Sequence, residues 1–222
     1  KFDIQLGNTL TTPHHLGMKF DVIVSNPPYS KSWEGKNNTI LINDVRYSPA
    51  GVLAPIQRSD LAFTMHMLYH LSETGTCAIV EFPGVLYRGG AEKKIREYLI
   101  KNNFVDTVIQ LPANLFFGVG IATCIIVIKK NKKDNNILFV DASEECEKKG
   151  DKNKLEDENQ NRIVNAYQER KEEQYFTKLV SNDEVLANGA NLSVSSYVEK
   201  EDKREVIDIV ALNEEIEALS KD

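Results

Sequence analysis

An apolar run that stops at two consecutive prolines constrains the fold more than any other feature of this sequence. Residues 20–24 read Phe-Asp-Val-Ile-Val, a near-continuous β-branched run that is typical of a strand covered on both faces. Pro27 and Pro28 follow, and each fixes its own backbone angle and removes a backbone N–H donor. The sequence therefore predicts a covered strand with a stiff turn at its carboxyl end.

Strand-like and helix-like segments alternate along the first 143 residues. Further strands are predicted at 2–6, 77–82, 104–111, 121–128 and 137–140, and helices at 59–71 and 91–102. Ser59 is predicted to cap the first helix and Gly75 to mark its end. Such alternation implies an α/β fold with a parallel, helix-covered sheet. The strands at 104–111 and 121–128 lack an intervening helix, which predicts an antiparallel hairpin.

The composition changes after Ser143. Residues 144–174 are rich in Glu, Lys, Asp and Asn, and residues 202–219 carry apolar side chains at helical spacing. We therefore predict a sheet-forming region at 1–143 and a mainly helical C-terminal extension at 144–222. Residues 31–58 are predicted to form a long irregular loop, of a length that is usually functional or disordered.

Composition also narrows the classes of function. A formal charge of −6 gives no whole-chain electrostatic footprint for nucleic acid, so any DNA contact would depend partly on another region or subunit. No stretch is long and apolar enough to span a membrane, and no secretory leader is present, which favours the cytoplasm. The three cysteines form no CxxC pair, so neither a disulfide framework nor a zinc site is predicted.

The sequence Asn26-Pro27-Pro28-Tyr29 has the chemistry to bind a planar amine. Ligands of open α/β sheets bind beyond the carboxyl ends of strands, where this turn is predicted to lie. The Asn26 side-chain oxygen and the Pro27 carbonyl can accept both N–H bonds of an amine, which frees its lone pair for attack on a methyl donor. Tyr29 offers a face on which a base can stack. The turn alone leaves adenine, cytosine, guanine and glutamine amides open as substrates.

Several further segments resemble, in order, the modification (M) subunit of type I restriction–modification systems, a DNA adenine-N6 methyltransferase. They are FDVIVSNPPYSKSW at 20–33, SDLAFTMHMLYHL at 59–71, FPGVLYRGGAEKKIREYLI at 82–100, LPANLFFGVGIATCIIVIKKNK at 111–132, ILFVDAS at 137–143 and ANLSVSSYV at 190–198. The resemblance implies a Rossmann-like class I methyltransferase sheet, S-adenosylmethionine as the methyl donor and DNA as the substrate. It also implies a specificity (S) subunit and a restriction (R) subunit as partners.

The resemblance assigns roles around the target base. Asn26 and Pro27 would hold the amine, and Tyr29 would stack on an adenine flipped out of the duplex. Phe116, or its neighbour Phe117, would stack on the opposite face of that base.

The resemblance also assigns residues to the cofactor. Pro28 and Phe63 match positions that line the pocket for its adenine, and Asn8 stands where relatives usually place an aspartate. The family's glycine-rich cofactor loop and ribose-binding acidic residue precede the matched region, and this sequence contains neither. We therefore expect this chain alone to bind S-adenosylmethionine weakly or not at all and to be inactive. The first strands of the sheet are also missing, so the strand at 20–24 is expected to be an exposed edge.

Two other functions fit the same residues. The first is an amino-methyltransferase that acts on ribosomal RNA or on a glutamine in a protein. The second is a truncated, non-catalytic interaction module.

Overall fold

The structure is a computed structural model, and it describes residues 2–116, 118 and 120–201. Its strands are β1 (Phe20–Ser25), β2 (Leu71–Glu81), β3 (Val105–Gln110), β4 (Cys124–Lys129), β5 (Asn136–Asp141), β6 (Glu147–Lys149), β7 (Lys152–Lys154) and β8 (Thr177–Ser181). Its helices are α1 (Asp60–His70), α2 (Ala91–Lys101), α3 (Asp157–Glu169) and α4 (Asn182–Ala187). The predicted helix at 202–219 and the candidate Phe117 lie outside the described residues.

Six strands form one sheet in the order β1-β2-β4-β3-β5-β8. The pairings β1–β2 and β3–β5 are parallel, whereas β4 is antiparallel to both β2 and β3, and β8 is antiparallel to β5. Four of the six strands therefore point the same way, which confirms the predicted α/β class. The antiparallel β3–β4 hairpin is also confirmed, and β4 lies between β2 and β3.

Helices cover the two faces of this sheet unequally. Leu61 of α1, Ile95 of α2 and Val185 of α4 belong to one buried cluster. Ile163 of α3 belongs to a second cluster. Alternate residues of β5 enter the two clusters, and because successive side chains of a strand point to opposite faces, the clusters lie on opposite sides of the sheet.

The strand β1 lies at one edge of the sheet. It pairs with β2 on one side and, within the described part of the chain, with no strand on the other. Val22 is 73% exposed and Val24 is 79% exposed, while Ile23 packs against the first cluster. The expectation of an exposed edge is confirmed, and the prediction that this strand is covered on both faces is wrong.

The prediction of a strand at 2–6 is also wrong. These residues form no ladder in the described structure, and the side chains of Phe2, Ile4 and Leu6 are exposed. The apolar alternation is present in the sequence, but a strand also needs a neighbour for its backbone hydrogen bonds, and none is available there.

Gly75 lies inside β2 and does not follow the end of a helix. The helix α1 ends at His70, and β2 begins at Leu71. A Cβ atom at Gly75 would lie 2.9 Å from the Phe20 carbonyl oxygen and 3.0 Å from that of Asp21. Glycine is therefore needed because β1 and β2 approach closely at this point. Ser59 does precede α1, but its side chain makes no capping hydrogen bond.

The predicted extension contributes strands as well as helices. The segment predicted to be helical at 144–174 begins with the β6–β7 hairpin before α3 starts. Further on, β8 pairs with β5 at the second edge of the main sheet. The boundary at residue 143 stays a prediction, although the chain beyond it supplies part of the sheet. Among the described residues, every helix is too short or too polar to cross a membrane.

Candidate active site

The Asn26-Pro27-Pro28-Tyr29 turn leaves the sheet at the carboxyl end of β1. Pro27 is buried, whereas Asn26 and Pro28 are exposed. The Tyr29 hydroxyl donates a hydrogen bond to Asn26 Oδ1 over 2.7 Å. Burial, and then the nearby Glu81 and Cys124, raises the pKa of Tyr29, which keeps its hydroxyl protonated as a donor. The Asn26 amide, which would hold a target amine, is therefore exposed, and the Tyr29 hydroxyl fixes its orientation.

Two hydrogen bonds connect the residues that follow Tyr29 to the start of α1. Ser30 has a φ of 48°, in the left-handed region that non-glycine residues rarely occupy. Its N–H donates to Oδ1 of the buried Asp60 over 2.8 Å, and the Ser59 N–H donates to the Lys31 carbonyl over 3.0 Å. These two bonds hold the strained turn in place.

A second carboxyl group, Glu81, is buried beside the turn. Ser25 pairs with Ile79 in the parallel β1–β2 ladder, so Glu81 lies level with the residues that directly follow β1. The Thr64 hydroxyl of α1 donates to Glu81 Oε1 over 3.0 Å, and Oε2 has no hydrogen-bond partner among the described residues. Burial, followed by the charge of Asp60, raises the pKa of Glu81 to about 8.

The turn that contains Asn8 is attached to the same helix by a buried arginine. Arg46 donates to the carbonyls of Thr9 and Leu10, each over 2.8 Å, and its Nη1 lies 3.0 Å from Nδ1 of His66 in α1. Burial lowers the pKa of His66 to about 3, so its ring is neutral and can accept. Asn8 Oδ1 accepts the Leu10 N–H over 3.0 Å, which leaves its exposed NH₂ group to meet a ligand.

Each of the three predicted cofactor residues lies on α1 or in a turn that is attached to it. Phe63 is half-buried on this helix, between Asp60, which fastens the turn that follows Pro28, and His66, which contacts Arg46. Its ring, the exposed Pro28 and the amide of Asn8 offer apolar and donor groups that fit a planar heteroaromatic ring. They do not supply a carboxylate for ribose hydroxyls, so they fit only part of S-adenosylmethionine.

Phe116 lies in the connection from β3 to β4. This connection leaves the carboxyl end of β3, at the same edge of the sheet as the Asn26–Tyr29 turn, but β2 and β4 separate β3 from β1. Phe116 is half-buried, and Lys152 Nζ lies 3.4 Å from its carbonyl oxygen. The structure thus brings Phe116 to the correct edge, and its stacking on a base opposite Tyr29 stays a prediction.

Four residues that sequence reasoning did not single out also shape this region: Arg46, Asp60, Thr64 and Glu81. A carboxylate at the end of an apolar strand, directly before Phe82-Pro83, was a signal that could have identified Glu81. Arg46 gave no comparable signal, because its partners lie far away along the chain.

Comparisons with known proteins give a consistent result. Residues 1–206 match the sequence model of the family described as N-6 DNA Methylase. The chain is similar to the type I restriction enzyme MpnII methylase subunit of Mycoplasma pneumoniae, at 45% identity over 227 residues, covering 98% of this chain and 42% of that protein. It is also similar to the MjaVII methylase subunit of Methanocaldococcus jannaschii, at 32% identity, covering 100% of this chain and 40% of that protein.

Among solved structures, the chain is similar to a type I restriction–modification methyltransferase subunit from Streptococcus thermophilus. The TM-score is 0.83 at 40% sequence identity, and the match covers 86% of this chain and 41% of that one. The chain therefore spans about two fifths of the length of these relatives.

Proposed function

The chain belongs to the N-6 DNA methylase family, and from this premise we propose that it is the target-base part of a type I methylase subunit. In a longer polypeptide it would help to transfer a methyl group from S-adenosylmethionine to the N6 amine of a flipped adenine in DNA. The observation that carries this proposal is the Asn26–Tyr29 turn, which presents an exposed, oriented amide at the carboxyl edge of the sheet.

Asn26, Pro27 and Tyr29 would each make a different contact with the target base. Asn26 Oδ1 has two acceptor sites, of which the Tyr29 hydroxyl uses one, so the second can accept an N–H of the adenine amine. The Pro27 carbonyl can accept the other N–H. With both protons held, the lone pair of the nitrogen is directed outward, and the same two oxygens stabilise the positive charge that develops as the amine attacks. The ring of Tyr29 supports the face of the base.

Asn8, Pro28 and Phe63 would hold the adenine of the cofactor, which supplies an electrophilic sulfonium methyl group when it is bound. Because the sequence contains no glycine-rich cofactor loop and Asn8, Pro28 and Phe63 offer no carboxylate for the ribose, we expect binding to this chain alone to be weak or absent. Isothermal titration calorimetry with S-adenosylmethionine tests this expectation. A micromolar dissociation constant for the chain alone would contradict it.

DNA, a specificity subunit and a restriction subunit are the proposed partners. Because this chain has a net charge of −6, we expect other parts of the assembly to make most of the contacts with the DNA phosphates. The cytoplasm is the proposed location.

The decisive experiment measures the transfer of labelled methyl groups by the full-length protein with its specificity subunit. DNA, RNA and protein are offered as acceptors, and only DNA is expected to be methylated, at adenine N6. Asn26→Ala removes one acceptor of the developing charge and is expected to lower the rate about 100-fold or more. Asn161→Ala, at an exposed position on α3, is the matched control and is expected to leave the rate unchanged.

Methylation of RNA or of a protein glutamine would instead support one alternative function. No methylation of any acceptor would support a non-catalytic module.

A further inference from the structure

Two buried carboxyl groups lie close to the Asn26–Tyr29 turn, Asp60 at the start of α1 and Glu81 at the end of β2. Asp60 accepts the Ser30 N–H through Oδ1, and Glu81 accepts the Thr64 hydroxyl through Oε1. Asp60 is 1% exposed and Glu81 is fully buried. Each carboxyl group is therefore shielded from bulk water, and one oxygen of each accepts one of these hydrogen bonds.

The remaining oxygens, Asp60 Oδ2 and Glu81 Oε2, are buried without a hydrogen-bond partner among the described residues. Asp60 and Thr64 lie one helical turn apart on α1, and Thr64 bonds Glu81, so this turn of the helix brings the two carboxyl groups into the same buried region. Two such carboxylates cannot both stay ionised at low cost, because burial and mutual repulsion both oppose the second charge. Neighbouring buried acids resolve this conflict by holding one proton between them. A proton on one unpaired oxygen would also give the other the donor that it lacks.

We propose that Asp60 and Glu81 form an acid pair that shares one proton, carried on Glu81 Oε2 and donated to Asp60 Oδ2, and that this pair positions the Asn26–Tyr29 turn. Asp60 is the positioning residue, because its carboxylate holds the Ser30 N–H. Glu81 keeps Asp60 in place. For its effect on catalysis, the inference rests on the proposed function, whereas its effect on the turn does not.

The charges around the pair set the direction of its pH dependence. The pKa of Glu81 is raised from 4.5 to about 8, by burial, by Asp60 and, more weakly, by Glu92. Glu92 is itself paired with Arg88 over 3.5 Å and Arg58 over 3.8 Å, which offsets its charge.

Two further titratable neighbours of Glu81, Tyr29 and Cys124, add no charge near it. Burial raises the pKa of both Tyr29 and Cys124, so each is neutral while Glu81 titrates.

Because the folded-state pKa of Glu81 is raised, the stabilisation from its proton is complete below about pH 4.5 and is lost as the pH rises through about 8. Above that value the pair loses its shared proton, and with it the hydrogen bond between Glu81 and Asp60. Asp60 is then no longer held by Glu81, so its contact with Ser30 should weaken and free the turn.

Amide hydrogen exchange of Ser30, measured by NMR on this chain between pH 6 and pH 9.5, tests the pair without any enzymatic assay. After correction for the intrinsic rate, protection in the wild type should fall above pH 8 by up to about tenfold per pH unit. Glu81→Gln keeps a donor to Asp60 at every pH, so its protection should not depend on pH. Asp60→Asn should show low protection throughout. Glu73→Gln, at an exposed position near the start of β2, is the matched control and should behave like the wild type.

The same variants in the full-length protein, assayed for DNA methylation, give the catalytic readout. The wild type should lose kcat above about pH 8, and Glu81→Gln should lack this alkaline limb, which a purely structural role would not remove. Constant Ser30 protection in the wild type, or the same loss in Glu81→Gln, would overturn the acid pair. If the wild-type protein methylates no DNA at any pH, the proposed function fails, and the exchange experiment still decides the pair. Should Asp60→Asn fail to fold, Glu81→Gln alone remains decisive.

Discussion

The strands β1 and β5 have similar sequences and opposite surroundings. Both are short runs of β-branched and aromatic residues, and both belong to the parallel part of the sheet. In β5 all four central side chains are fully buried, because β3 and β8 flank it and helices cover both faces. In β1 two valines are largely exposed. The apolar sequence of a strand thus shows that it is suited to burial. How far its side chains are in fact buried depends on the strands and helices beside it.

The two strands also differ in what they contribute, because β5 stabilises the core and β1 leads into the candidate site. The well-covered strand contributes to the core, whereas the poorly covered strand ends in the turn with the candidate catalytic residues. That turn is also held by the hydrogen bond from the Ser30 N–H to the buried Asp60 of α1.

The same substitution in both strands tests this contrast most directly. Val140→Ala in β5 should lower the free energy of unfolding by about 2 to 3 kcal/mol, because it removes buried methyl groups and leaves a cavity. Val24→Ala in β1 should change it by less than about 0.5 kcal/mol, because those methyl groups are already in water. Urea denaturation of this chain measures both. Equal losses would show that β1 is covered in solution.

The close contact between β1 and β2 gives a second, smaller effect. Gly75→Ala places a Cβ atom against the carbonyls of Phe20 and Asp21, and we expect a loss of about 1 to 2 kcal/mol as β1 is pushed away. Gly17→Ala is the control, since a Cβ atom there meets nothing within 4 Å. If both variants unfold at the same urea concentration, the approach of β1 to β2 is looser than described.

The exposed edge gives the smallest change in stability and a separate change in association. An unpaired strand invites pairing with another chain, so this chain should self-associate at high concentration. Val22→Lys should reduce this association while changing the free energy of unfolding by less than about 0.5 kcal/mol. Sedimentation equilibrium provides the measurement, with Val164→Lys on the exposed side of α3 as the control. Equal association of the two variants would place the contact elsewhere.

Local pattern was enough to predict much of this fold. The strand before Asn26 and the helix predicted at 91–102, which forms at Ala91–Lys101, follow from apolar spacing. The hairpin of β3 and β4 follows from the absence of an intervening helix. The position of the turn at a carboxyl edge follows from the same reasoning.

Features that depend on distant partners were not predictable in this way. The insertion of β4 between β2 and β3, and the addition of β8 to the sheet, depend on pairing between segments far apart in sequence. Gly75 has the same appearance whether it ends a helix or allows two strands to approach. The roles of Arg46 and Glu81 depend on what surrounds them once the chain is folded.

The hydrogen bond from the Tyr29 hydroxyl to Asn26 has a consequence for the entropy of base binding. An exposed asparagine normally samples several rotamers and either orientation of its amide, and fixing one side chain on binding costs about 0.5 to 1.5 kcal/mol. Here the phenolic proton already selects the oxygen of that amide and turns it toward the ring on which the base would stack. The Asn26 amide would therefore already be oriented when a base binds. Less of the binding free energy would be lost to ordering this side chain.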